Sequence, residues 1–115
     1  MSNFILVPRP DYVGELLSLV PSFRASTEYR SLDAEDRTCP GLIFSAFARY
    51  MEGLTRNDSA MDECRNAIED FASRNDAEVK NYLITEVFES FRLPEVSKNL
   101  LLPKSRQLYD HWIGG

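Results

Sequence analysis

Apolar residues recur at helical spacing in five stretches of this chain, and the widest stripe lies over residues 76–91. In DAEVKNYLITEVFESF, Val79, Leu83, Val87 and Phe91 fall in one row, with Ile84 and Phe88 beside them and Tyr82 at the other margin. The arc covers roughly half the circumference, wider than the ~100° stripe of a surface helix, so the segment should touch neighbours on two sides. Glu78, Asn81, Thr85 and Glu89 fill the remaining arc and need water or polar partners. The pattern predicts a central helix, closed by Pro94.

The other elements follow from the same periodicity. Tyr12, Leu16, Leu19 and Val20, with Val13 and Leu17 alongside, predict a first helix from Asp11. Pro21 should end it, because proline disfavours helical geometry in the residue before it. Residues 22–38 read as a loop with one short helical turn around Phe23 or Tyr29. Pro40 suits the first turn of a second helix, where its missing N–H costs nothing. That helix is apolar over much of its circumference from Leu42 to Leu54, and the TRND stretch after it is a loop. Ser59-Ala60-Met61-Asp62 fits a capping box with aspartate in place of glutamate. Met61, Cys64, Ile68 and Phe71 then give the cleanest amphipathic pattern in the chain, a third helix.

Asn75-Asp76-Ala77-Glu78 caps the fourth helix after a tight turn, which makes helices three and four near-antiparallel neighbours. Leu93–Asn99 is a loop, Leu100–Leu102 an apolar patch, and Lys104–Trp112 a last short helix. At the start, Pro8 and Pro10 enforce extended chain, and Phe4 to Val7 are expected to lie against the body as an apolar strap. No strand alternation or internal repeat interrupts this picture. The expected fold is all-α, a compact bundle of about five helices with its central apolar helix near residues 76–91.

At 115 residues the chain has the length of a single domain spanning residues 1–115, and its 43% apolar content suffices for one core. The net charge of −5 is uneven: residues 58–89 carry nine acidic groups and three basic ones, whereas residues 90–115 are net basic. Such a balance argues against nucleic acid and anionic membrane as partners and in favour of a basic protein. Cys39 and Cys64 are too few for a zinc set and fit two reduced thiols. The N-terminus lacks the basic start of a signal peptide, and no run approaches the ~20 apolar residues of a membrane span. These features predict a soluble cytoplasmic protein, monomeric when free.

Candidate chemistry is sparse. His111, the one histidine, adjoins Asp110 and Trp112 near the C-terminus and reads as a solvated side chain rather than a catalytic base. The adjacent pairs Asp62–Glu63 and Glu69–Asp70 splay over a helix surface instead of opposing each other across a cleft. Glu86-x-x-Glu89 lacks the histidines of a di-iron bundle. The five glycines form no phosphate loop, dinucleotide fingerprint or calcium loop. The sequence therefore predicts no enzyme, no metal and no cofactor.

Surface remains. Asp62, Glu63, Asn66, Glu69, Asp70 and Ser73 lie opposite the apolar row of the third helix, and Glu78 and Glu89 of the fourth could extend them. A solvated face mixes charge signs to gain i,i+4 pairs, yet Arg65 is the sole basic residue between Asp58 and Ser73. Asp62, Glu63, Asn66, Glu69, Asp70, Glu78 and Glu89 are thus the candidate partner-binding residues, beside the plainer reading of a solubilising face. Arg92, Lys104 and Arg106 form a compensating basic end, expected to be structural or solubilising rather than a phosphate site.

Phe47-Ala48-Arg49-Tyr50, the acidic third helix, DAEVKNYLITEVFESF and LLLPKSRQLYDHW together resemble a group of small bacterial all-helical proteins of unknown function. That group is similar in turn to immunity proteins of polymorphic toxin or contact-dependent inhibition systems. The resemblance spans about residues 40–112, most specifically the Leu-Pro-x-Ser-Arg…Trp ending. It implies a protein that binds and blocks a cognate toxin domain, a nuclease among the candidates, with no catalytic residue of its own. The alternative is a small helical adaptor or structural module with no toxin partner.

Overall fold

Asp11 caps the first helix, its carboxylate accepting from the backbone N–H of Gly14 at 2.9 Å. This helix, α1 (Tyr12–Leu19), opens a chain in which every regular element among the described residues is helical. The structure is a computed structural model and describes residues 10–114. The expected strap Phe4–Val7 lies outside the described residues.

Pro21 ends α1 and also begins α2 (Pro21–Arg24) as its first residue. Ser26 caps α3 (Thr27–Arg30), its hydroxyl oxygen accepting from Tyr29 N–H at 3.1 Å. A 3-10 turn, Asp36–Thr38, leads to α4 (Pro40–Glu52), with Pro40 in its first turn as expected. The stretch 22–38 therefore holds helical turns at both Phe23 and Tyr29, where the sequence predicts one.

α5 (Ser59–Ser73) is capped by Asp58, whose side chain accepts from Ala60 N–H at 2.9 Å. The predicted capping box on Ser59 gives way to the residue before it. A carboxylate at the positive end of a helix is stabilised by the helix dipole as well as by the hydrogen bond. Asp76 in the same way caps α6 (Ala77–Tyr82), accepting from Glu78 and Val79 N–H at 3.0 and 3.2 Å.

α6 continues into a π turn, Leu83–Val87, and a 3-10 turn, Phe88–Ser90. A strict four-residue row drifts about 40° per step on an ideal helix of ~3.6 residues per turn. The wider π turn, where Phe88 N–H reaches back to Leu83, takes up that drift. Val79, Leu83, Val87 and Phe91 consequently all stay buried. α7 (Pro94–Ser97), a 3-10 turn at Lys98–Leu100 and α8 (Pro103–Tyr109), which runs into a π turn at Asp110–Gly114, complete the chain. The five predicted helices correspond to α1, α4, α5, the α6 segment and α8; α2, α3 and α7 are additional single turns.

The 77–90 segment packs against both α4 and α5 and shares the middle of the molecule with α4. From α4, Ile43, Phe44, Ala46, Phe47, Ala48 and Met51 are buried, the two alanines permitting close approach. Phe44 stacks on Tyr82 with centroids 5.6 Å apart and meets Phe71 edge-on at 5.6 Å. Phe23, from the stretch predicted as a loop, is fully buried against Tyr29, Phe47 and Tyr50. Phe88 seals the C-terminal end against Phe91 and Tyr109.

Candidate functional site

The candidate surface is the outer side of α5, and its seven predicted residues divide by occupation. Asp62, Glu63 and Asn66 are exposed near the start of the helix. Arg65 reaches Asp62 at 3.6 Å, while its Nε–H donates to the carbonyl of Leu100 at 2.6 Å. Ser22 donates to Glu63 at the outer limit of hydrogen-bond distance, 3.5 Å. These three side chains are available to a partner.

Glu69 is not. Its carboxylate accepts from Lys104 N–H at 3.0 Å, Ser105 N–H at 2.8 Å and the Ser105 hydroxyl at 3.0 Å. Leu102, at the N-cap position of α8, provides no side-chain cap, so a glutamate from α5 satisfies that helix end. Burial pushes the Glu69 pKa up, but the two backbone N–H groups, the Ser105 hydroxyl and the nearby Lys104 charge together hold it below the usual carboxylate range. Ser105 is completely buried. Glu69 is thus a structural residue, although it does lie off the apolar row as predicted.

Glu52 repeats the device one helix earlier. It accepts from Arg92 N–H and Leu93 N–H, both at 3.0 Å, and from the Ser97 hydroxyl at 2.7 Å, so it holds the chain just before α7 together with the last residue of that helix. Leu93-Pro94 and Leu102-Pro103 are the two leucine–proline starts, and each finds a remote glutamate and a buried serine. The Leu-Pro-x-Ser-Arg stretch is therefore a docking segment for Glu69. Its arginine, Arg106, holds Asp110 at 3.0 Å and reaches the Lys98 carbonyl and Asn99.

Asp70 is also engaged: it pairs with Arg74 at 2.7 Å, and Arg74 simultaneously pairs with Glu15 of α1 at 2.5 Å. The guanidinium lies over the Phe71 ring at 4.8 Å. Alongside, the Tyr12 hydroxyl donates to Asp76 at 2.6 Å and more weakly to Glu78 at 3.4 Å. The Tyr12 hydrogen bond, ahead of a smaller opposing effect of burial, holds the Asp76 carboxyl below its ordinary range. The burial of Tyr12 and its carboxylate neighbours push the phenol well above its own ordinary range. Glu78 and Glu89 are both exposed. Glu78 belongs to this junction with α1, while Glu89 stands farther along the 77–90 segment, so the two do not simply extend the α5 face.

The acidity of residues 58–89 is largely architectural. Asp58, Glu69 and Asp76 cap helices, Asp70 holds Arg74, and Glu86 accepts from the Ser45 hydroxyl at 2.8 Å. Sequence reasoning could not see Glu52 or Ser105 as key positions. The available signal was the two leucine–proline pairs, Leu93-Pro94 and Leu102-Pro103, each followed within three residues by a serine. Both cysteines are free; Cys39 is exposed, and burial pushes the Cys64 thiol up to about 12. Among the described residues, no group of three or more His, Cys, Asp or Glu could hold a metal ion, and no helix is long and apolar enough to cross a membrane.

The chain belongs to a protein family described as a domain of unknown function (DUF7674), which it matches over residues 13–114. No curated protein and no solved structure matches it.

Proposed function

We propose that this protein is an immunity protein that binds and neutralises a cognate bacterial toxin domain by occlusion, in the cytoplasm and without catalysis. The observation that carries the reading is the exposed trio Asp62, Glu63 and Asn66 at the start of α5. It is the part of the acidic helix face left over once Glu69 and Asp70 are committed to internal contacts. An acidic edge on a rigid helix suits a basic partner such as the nucleic-acid cleft of a nuclease, and long-range attraction would speed capture. The resemblance of residues 40–112 to immunity proteins supports the same reading.

The test begins with the reading frame beside this gene, which this reading expects to encode a toxin domain; a frame of another kind would overturn it, and a toxin domain found there would serve as the binding partner. Asp62→Lys combined with Glu63→Lys should slow association about tenfold and flatten its salt dependence, because exposed rim charges act mainly on the on-rate. The melting temperature should stay close to that of the parent. Unchanged association and unchanged protection of cells would remove this face from the interface. The adaptor reading draws on a different observation: Leu93, just before α7, and Val96 on it are 61% and 60% exposed, two apolar side chains open to contact with another protein.

A further inference from the structure

The end of α5 meets α6 and α8 around an open cleft of about 350 Å³. Its floor is apolar, from Ala72 and Leu108, and its rim carries Lys80, Lys104 and His111 from three different elements. No carboxylate is among the described residues that line it, in a chain whose net charge is −5. The chain has three lysines, and Lys98 is ion-paired with Glu95 at 2.9 Å. Lys80 and Lys104 form no ion pair among the described residues.

Glu69 and Ser73 border this rim with their hydrogen-bonding groups engaged inside the protein. The Glu69 carboxylate feels the Lys104 charge, but its oxygens accept from the start of α8. Ser73 lines the cleft with its hydroxyl proton donated to the carbonyl of Glu69 at 2.7 Å. Gln107 adds an amide donor beside the cations. The volume falls at the lower end of small-ligand sites, about 300–1,000 Å³, with an apolar floor and a few convergent polar groups.

We propose that this cleft binds a small polyanion, a molecule carrying two or more phosphoryl or carboxylate groups, held between Lys80, Lys104 and His111. Charge-assisted hydrogen bonds from the two ammonium groups provide the attraction, and their placement on two different helices, with the His111 ring as a further polar group, favours a ligand with more than one anionic group. The sequence scatters the three residues over thirty-two positions, so only the fold reveals the cluster. The inference is independent of the toxin-binding reading, which rests on Asp62 and Glu63.

Trp112, the only tryptophan, is 61% exposed and sets its ring edge-on to His111 at 5.1 Å, so it reports on the site. Its fluorescence and backbone amide NMR shifts should be followed during titration with pyrophosphate and, separately, with citrate, against sodium chloride at matched ionic strength. Saturable changes centred on Ser73, Lys80, Lys104, Gln107 and His111 are expected. Saturation with pyrophosphate alone would assign phosphoryl groups, and with citrate alone carboxylates. Lys80→Gln and Lys104→Gln should each weaken binding about tenfold, the loss of one hydrogen bond to a charged group. Lys98→Gln, with its lysine already paired, should leave it unchanged. Changes that never saturate, or that respond equally to all three substitutions, would overturn the proposal.

Discussion

Ser105 and Glu69 show how much of this fold depends on single polar atoms. Ser105 is wholly buried, its hydroxyl donates to Glu69, and its backbone N–H does the same. Removing the hydroxyl in Ser105→Ala should cost about 1 kcal/mol, the ordinary net worth of one hydrogen bond. Glu69→Ala removes the acceptor of three and should cost about 2–3 kcal/mol, read from denaturant melts. At the same scale, Cys64 is buried with its thiol pushed up to about 12, while Cys39 is exposed. A thiol reagent should therefore label one cysteine rapidly in the native protein and both after denaturation. Fast native labelling of both would mean that α5 opens readily.

At the scale of elements, periodicity alone located every helix of more than one turn. Its reach ended where tertiary contacts decide. The stretch 22–38 has no long apolar period, yet Phe23 enters the core because two short helical turns, one started by Pro21 and one capped by Ser26, fold it back over α4. The π turn at Leu83–Val87 was equally hidden, since a four-residue row looks helical whichever way its drift is absorbed. The candidate acidic face was visible as composition but only partly as function. Sequence spacing put Asp62, Glu69 and Asp70 on one outward arc; the i,i+4 spacing of Asp70 and Arg74 was a local sign of their pairing, whereas nothing local revealed that α8 claims Glu69. Phe88→Ala should cost ~3–5 kcal/mol, because its ring is 2% exposed between Phe91 and Tyr109. A loss below ~1 kcal/mol would place that ring in solvent.

For the molecule as a whole, part of the acidic character serves helix ends, which Asp11, Asp58, Glu69 and Asp76 cap. This sets its response to acid. Glu69 and Asp76 have folded-state carboxyls held below their ordinary range. The stability they contribute is present in full above the ordinary carboxylate range and is lost as pH falls through the depressed folded values. Acid titration followed by circular dichroism should show a spectrum without a sheet component that loses helix in that window. Glu69→Gln should flatten the acid limb of the stability curve. A variant curve parallel to that of the parent would show that Glu69 makes no such contribution.

The two remote glutamates also impose an order in time. Glu52 precedes the backbone N–H groups it holds by 40 and 41 residues, and Glu69 precedes its own by 35 and 36. Helices as short as α7 and α8 do not persist alone in water. During synthesis, α4 and α5 leave the ribosome first, and each carboxylate waits in the growing chain for the segment that will answer it. The segment from Leu93 to Tyr109 arrives on a surface already laid out for it, and its docking brings Leu101 and Tyr109 into the core last.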